Sequence, residues 1–357
     1  MSLADSLTRK NIQGLVPYAS ARRSMSGGNI WLNANESPFA NRYELDDSVF
    51  NRYPDFQPKE LIEAYAAYAQ VEKTQVLASR GADEAIELLI RTFCENDEKI
   101  LICPPTYGMY AISAETCNIG TVKVPLKSDF TLDLPAIEKA KKEHKIKVVF
   151  ICSPNNPTGH LMAADQIKTV LNLFADSAIV AVDEAYIEFS AEKTVAPWIN
   201  DYANLAVLRT MSKAFGLAGI RCGYTLANEN IIAAMSKVIA PYPISWPVAQ
   251  IASQALSVNG LERMQSQLAQ VLEQKERIVN ALDQLEYVYE QLPSASNFVL
   301  FRTKHKKALF AALVEQGILI RDYSQQIMLD DSLRISIGSE QETDALLEAM
   351  RAFGDTL

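Results

Sequence analysis

Four short segments of the 357-residue chain carry side chains whose chemistry reaches beyond packing. In Thr210-Met-Ser-Lys-Ala-Phe-Gly-Leu-Ala-Gly-Ile-Arg221, Lys213 follows a β-rich apolar run and stands among small and apolar residues. Desolvation there lowers an amine's pKa and favours amine chemistry, although most lysines are solvated surface residues. Arg221 and Ser212 supply a cation and a hydroxyl suited to a phosphate. Asp183-Glu-Ala-Tyr186 closes the run Ala-Ile-Val-Ala-Val, and a carboxylate at the buried end of a strand is costly unless paired with a cation or strong donor. Its structural alternative is a helix cap with Tyr186 in the core. Ser153-Pro-Asn-Asn-Pro-Thr-Gly159 is stiffened by two prolines and a glycine, so Asn156 can be held firmly against a ligand oxygen; the same residues also suit a merely stiff loop. Ser79-Arg-Gly-Ala-Asp-Glu84 turns a strand at Gly81 into a helix whose free N–H groups and dipole can hold an anion, or it is a tight turn with Asp83 as a cap. Taken together, an amine for a Schiff base, a carboxylate for a pyridinium nitrogen and a phosphate cup are the parts of a pyridoxal phosphate site.

Three of these features follow expected strands, and in an open parallel sheet the residues beyond the carboxyl ends of several strands converge on one crevice. Apolar β-rich runs predict strands over Val76–Arg80, Lys99–Cys103, Lys147–Cys152, Ala178–Asp183, Leu205–Thr210 and Arg221–Ala227. Between them, 3.6-residue periodicity predicts helices over Gln57–Gln70 and Glu84–Cys94, so the fold class is α/β with a mostly parallel sheet covered by helices. Three prolines within Pro241–Pro247 exclude regular helix and predict a shaped loop. Beyond it, helical periodicity from Val248 to about Tyr289 breaks near Asn259-Gly260, and strands follow over Asn297–Arg302, Gly317–Arg321 and Ser332–Ile337, with a last helix after Ser339. The expected organisation is an N-terminal arm over residues 1–30, a large domain over 45–255, and a smaller α+β domain built from 31–44 and 256–357.

Composition narrows the chemistry. Lys and Arg number 34 against 43 Asp and Glu, and the net charge of −9 argues against a nucleic acid as main partner and leaves no basic DNA-binding module. Five cysteines, never spaced C-x-x-C, suit reduced thiols, and the three histidines show no metal spacing, so no metal is expected. No apolar run approaches the roughly 18 residues of a membrane span, so no membrane association is expected and the location expected is the cytoplasm.

The motifs Asn-Asn-Pro-Thr-Gly, Asp-Glu-Ala-Tyr and Ser-Lys-x-Phe-x-Leu-Ala-Gly-x-Arg stand in this order, with 27 positions from Asn156 to Asp183 and 30 from Asp183 to Lys213. From Leu15 nearly to the C-terminus the chain resembles the fold-type I pyridoxal-phosphate aminotransferases. Within them it is similar to the histidinol-phosphate aminotransferase family, through Pro17-Tyr-x-x-x-Arg22, Leu32-Asn-x-Asn-Glu36, Asn51-Arg-Tyr-Pro54, Pro104-Pro-Thr-Tyr-Gly-Met-Tyr110 and Leu333-Arg-Ile-Ser-Ile-Gly338. It departs where relatives often read Asn-Glu-Asn-Pro, having Asn35-Glu-Ser-Pro38.

The resemblance implies that Lys213 carries the cofactor as a Schiff base and later serves as the proton shuttle, and that Asp183 keeps the pyridine nitrogen protonated. Asn156 and Tyr186 would bond the phenolic oxygen, and Tyr107 would stack on the ring. Backbone N–H groups of Ala82 and Asp83, with Ser212 and Arg221, would hold the phosphate, joined by Tyr53 from the neighbouring subunit of a homodimer with shared active sites. Arg321 and Arg334 would clamp substrate anions, with Tyr18, Asn35 and the arm closing over the ligand. The implied substrates are histidinol phosphate and glutamate or 2-oxoglutarate, in histidine biosynthesis. An aromatic aminotransferase or a threonine-phosphate decarboxylase of the same fold remains open.

Overall fold

The computed structural model describes residues 2–17 and 27–357. Its strands are β1 (Ile30–Trp31), β2 (Val76–Ser79), β3 (Lys99–Ile102), β4 (Gly120–Lys123), β5 (Ile146–Cys152), β6 (Ile179–Asp183), β7 (Leu205–Thr210), β8 (Gly223–Ala227), β9 (Glu290–Gln291), β10 (Phe298–Arg302), β11 (Ile318–Leu319), β12 (Arg321–Asp322) and β13 (Ser332–Ser336). Seven of them form a sheet in the order β2-β8-β7-β6-β5-β3-β4. Its β3–β4, β3–β5, β5–β6 and β6–β7 pairs are parallel, and only β8 runs against its neighbours. The central strands β6 and β7 are apolar along nearly their whole length because helices cover both faces, and Val180, Val182, Leu205 and Val207 are fully buried. The α/β expectation therefore holds.

Helix Lys59–Ala69 starts directly after Pro58 and buries Leu61, Ile62, Tyr65 and Ala66 along one stripe. Helix Gly81–Phe93 starts three residues earlier than its periodicity predicts. Gly81 takes φ +78°, which turns the chain at once out of β2, and Glu84 rather than Asp83 then caps the turn by accepting the Arg80 N–H at 2.6 Å.

The Pro241–Pro247 loop ends sooner than expected, because helix Trp246–Ala255 takes Pro247 into its first turn, where a missing N–H costs nothing. The break in the following helices lies at Leu256-Ser257, not at Asn259-Gly260. Ser257 caps helix Val258–Leu282 by accepting the Gly260 N–H at 3.2 Å. Gly260 is there for close approach, since a Cβ would strike the carbonyl oxygens of Gln254 and Ala255.

The second sheet is antiparallel, in the order β12-β13-β10-β9, and β1 pairs with β11 in parallel. The expected strand over Gly317–Arg321 is thus two strands: after β11 the chain passes through buried Ile320 and changes partner to β13. Near the start of the chain, Asn11 Nδ2 donates to the carbonyl of Glu115 at 2.8 Å.

One buried ionic cluster braces the turn after β6. Arg209 on β7 donates through Nε to Glu184 Oε2 at 2.7 Å and through Nη2 to Thr194 Oγ1 at 2.8 Å, while Glu184 Oε1 accepts the Val195 N–H at 2.6 Å. Glu188 lies in the same cluster, where burial pushes its carboxyl up to about 7 despite Arg209. The segment that carries Asp183 and Tyr186 is thereby fixed to the strand that precedes Lys213.

Candidate active site

The carboxyl-terminal sides of β2, β3, β5, β6 and β7, the residues before β8 and after β1, and strands β12 and β13 of the second sheet meet around a cavity of about 590 Å³. Asp183 ends β6 and is 3% exposed. Its Oδ2 accepts from the Tyr110 hydroxyl at 2.6 Å and its Oδ1 from the Ala185 N–H at 3.0 Å. Burial nonetheless raises its carboxyl to about 6, because both donors are neutral and the charge is left uncompensated.

Lys213, three residues past β7, donates through Nζ to the carbonyl of Ala34 at 3.1 Å and lies 5.5 Å from the Tyr186 ring centroid. Burial first, then the positive charge of Arg334, lowers its amine to about 8. A carboxylate that is reluctant to ionise and an amine that is reluctant to protonate thus line one cavity.

The turn into helix Gly81–Phe93 meets the start of β8 at the cavity's edge. Ala82 and Asp83 line it, Ser212 Oγ accepts from Thr210 Oγ1 at 2.9 Å and from Arg221 Nη1 at 3.4 Å, and Arg221 Nη2 donates to Asp83 Oδ2 at 3.1 Å. Tyr107 donates to the other oxygen of Asp83 at 3.0 Å. Gly223 permits this closeness, for a Cβ there would stand 2.5 Å from the Gly81 carbonyl carbon and 2.6 Å from the Ala82 nitrogen.

On the opposite wall, Asn156 donates through Nδ2 to the Tyr186 hydroxyl at 3.2 Å and accepts through Oδ1 from Arg334 Nη1 at 2.6 Å. Arg334 also donates to the Tyr323 hydroxyl at 2.9 Å and to the Asn33 carbonyl at 3.0 Å, with its guanidinium 5.0 Å from the Phe298 ring centroid. Arg321 is the register partner of Arg334 across β12 and β13 and lines the same cavity. Asn35 lines it too, but its amide is engaged with Tyr186 and Ser336.

These residues fit a phosphorylated pyridine aldehyde. The uncompensated Asp183 suits a pyridinium nitrogen, the amine of Lys213 suits an aldehyde carbon, and the glycine-lined turn with Arg221 and Ser212 suits a dianion.

Twelve of the fourteen residues singled out in the sequence line this cavity, and Tyr53 does not. Tyr53 is 78% exposed and stacks on Tyr242 with centroids 4.5 Å apart, and Tyr18 lies outside the described residues. Sequence reasoning passed over Tyr110, which bonds Asp183, and Tyr323, which bonds Arg334. Tyr110 stood inside the quoted Pro104–Tyr110 motif, but its place in helix Met109–Thr116 reads as packing.

The family model for aminotransferase class I and II matches residues 29–350. A histidinol-phosphate aminotransferase of Pseudoalteromonas atlantica is 54% identical over 357 residues, 99% of this chain and 96% of the relative. That of Yersinia enterocolitica is 52% identical over 345 residues, 96% of this chain and 92% of the relative. Among solved structures, the histidinol-phosphate aminotransferase from Clostridium acetobutylicum superposes with a TM-score of 0.83 at 26% identity, over 92% of this chain and 100% of that one. The one from Sinorhizobium meliloti, in complex with pyridoxal-5'-phosphate, gives 0.85 at 23% identity, over 98% of each chain.

Proposed function

This chain belongs to the class I and II aminotransferase family, and from that premise we infer that its cavity transfers the amino group between L-histidinol phosphate and 2-oxoglutarate, giving imidazole acetol phosphate and L-glutamate. Pyridoxal phosphate, when bound, supplies an electron sink for negative charge at the substrate's α carbon. Ala82, Asp83, Ser212 and Arg221 would hold its phosphate, Asp183 its ring nitrogen, Asn156 and Tyr186 its phenolic oxygen, Tyr107 its ring face, and Lys213 its aldehyde carbon.

The protein's own groups supply the rest. With its pKa lowered to about 8, Lys213 keeps a useful fraction of free amine near neutrality, so it can take the proton from the substrate's α carbon and deliver it again on the same side of the site. Asp183 would face the protonated ring nitrogen, a cationic partner that compensates its charge. The enclosing apolar and amide groups exclude water and keep these interactions strong.

One observation carries the substrate reading: the register pairing of Arg321 with Arg334. The pairing brings two guanidinium groups to one wall of the cavity, where one substrate anion could take hydrogen bonds from both. The same pair can take the phosphate of histidinol phosphate in one half-reaction and a carboxylate of the keto acid in the other, as a ping-pong order requires.

The enzyme is proposed to act as a homodimer. Tyr53 and Tyr242 stack on the surface, and Phe50 and Phe56, near Tyr53 in the sequence, are exposed as well; a second copy would cover these apolar side chains, and Tyr53 would complete that copy's phosphate cup. Both substrates are multiply charged and do not cross a bilayer unaided, which supports a cytoplasmic location; no helix among the described residues is long and apolar enough to cross a membrane.

The test is a half-reaction. Cofactor-loaded protein is mixed with histidinol phosphate without keto acid, and the visible absorbance of the cofactor–Lys213 linkage is followed. The band should decay at low substrate concentration and return on adding 2-oxoglutarate; a band that ignores histidinol phosphate but responds to aromatic amino acids moves the substrate assignment to that class.

A further inference from the structure

Two side-chain amides converge on one hydroxyl. Tyr186 accepts from Asn35 Nδ2 at 3.0 Å and from Asn156 Nδ2 at 3.2 Å, which occupies both lone pairs of its oxygen. Its single proton is left to point away from both amides. The direction of the Asn35 amide is itself imposed. Ser336 Oγ accepts the Asn35 backbone N–H at 2.8 Å, so its own proton goes to Asn35 Oδ1 at 2.9 Å, and Nδ2 is turned toward Tyr186. The Asn35 carbonyl is taken by Asn297 Nδ2 at 3.0 Å. Every polar group of Asn35 therefore has a protein partner. Its φ of +52° is a backbone state that asparagine adopts more readily than most residues.

The two arms differ in what substrate does to them. Asn156 is bonded on its far side to Arg334, which the functional reading assigns to a substrate anion, so that arm can loosen when the guanidinium changes partner. The Asn35 arm ends on Ser336, a fully committed hydroxyl two residues along β13. We propose that Asn35 and Ser336 are positioning residues that hold the Tyr186 hydroxyl as a fixed donor toward the cofactor's phenolic oxygen while Arg334 exchanges Asn156 for substrate. Asn35 is thereby a positioning residue rather than the direct substrate contact that the sequence suggests.

The inference rests on the assignment of Tyr186 to that oxygen, and the experiment separates the two. In cofactor-loaded, substrate-free protein, the pH midpoint of the visible band reports the pKa of the cofactor–Lys213 linkage. A donor to the phenolic oxygen favours the unprotonated linkage, so Tyr186→Phe should raise the midpoint by about one pH unit, the size of one hydrogen bond to a charged group. Asn35→Asp keeps the shape and the Ser336 partner but replaces the donor by an acceptor, which draws the Tyr186 proton away. It should raise the midpoint by a comparable amount alone and add little in the Tyr186→Phe background. Ser336→Ala, which deletes only a hydroxyl, should give a smaller rise and carries the test where Asn35→Asp takes up no cofactor. A shift from Asn35→Asp that is equally large with and without the Tyr186 hydroxyl, or an unmoved midpoint in Ser336→Ala, overturns the relay. An unmoved midpoint in Tyr186→Phe overturns instead the assignment beneath it.

Discussion

The hydroxyl of Tyr110 stands 2.6 Å from Oδ2 of Asp183, and the tyrosine ring lies parallel to Phe150 with centroids 4.8 Å apart. A residue outside the wall of the cavity thus fixes the carboxylate inside it. Its donated bond opposes the effect of burial on that carboxyl. Tyr110→Phe keeps the stack and loses the bond, which as a charge-assisted hydrogen bond contributes roughly 1.5–3 kcal/mol. We expect kcat to fall about tenfold, the KM for histidinol phosphate to change little, and the acid limb of the kcat profile to move to higher pH, as read by steady-state kinetics over pH.

Asp183 also makes the cofactor-free protein sensitive to pH. Its pKa is raised from 3.8 to about 6 on folding, so the native state binds its proton more tightly than the unfolded chain does. That contribution is fully present below about pH 4 and is lost as pH rises through 6. A shift of about two units corresponds to about 3 kcal/mol. Thermal melts of cofactor-free Asp183→Asn should therefore gain on the wild type between pH 4 and 7, and parallel melting curves over that range would count against an uncompensated carboxylate.

Lys213→Ala removes the amine and leaves the phosphate cup untouched. Transamination should be abolished, while the cofactor should still be retained without a covalent link, detectable as absorbance that survives gel filtration but is not trapped by borohydride. Full turnover by this variant would sink the proposed role of the lysine.

Tyr53 stacks on Tyr242 at the surface and reaches nothing in its own subunit's cavity. Tyr53→Phe preserves the stack and removes only the hydroxyl, so subunit association, read by sedimentation, should stay unchanged while cofactor dissociates several-fold faster. An unaltered dissociation rate would refute the shared site.

The fold is most legible in the sequence where local pattern and structure coincide. The inner strands are apolar along nearly their whole length because helices cover both faces, and the residues beyond their carboxyl ends follow from that placement. The fold is less legible where an element's identity depends on a distant partner. The edge strand Gly120–Lys123 is short and half exposed, and nothing in its composition separates it from a loop. Gly317–Arg321 reads as one strand because periodicity does not register a change of neighbour at Ile320. Gly260 reads as a breaker although it serves close packing. Tyr110 and Asp183 are 73 positions apart, and only the fold brings them together. The role proposed for Tyr53 depends on a second chain, which no local pattern encodes.

The parallel pairing of Ile30–Trp31 with Ile318–Leu319 sets a timetable for synthesis. The residues just after β1 provide Asn33, Ala34, Asn35 and Glu36 to the cavity. A ribosome adding roughly 5–20 residues per second delivers them early and the strand partner of β1 only after β2–β8 have been made. The larger sheet can therefore form on the nascent chain while this wall of the pocket still waits for its anchor.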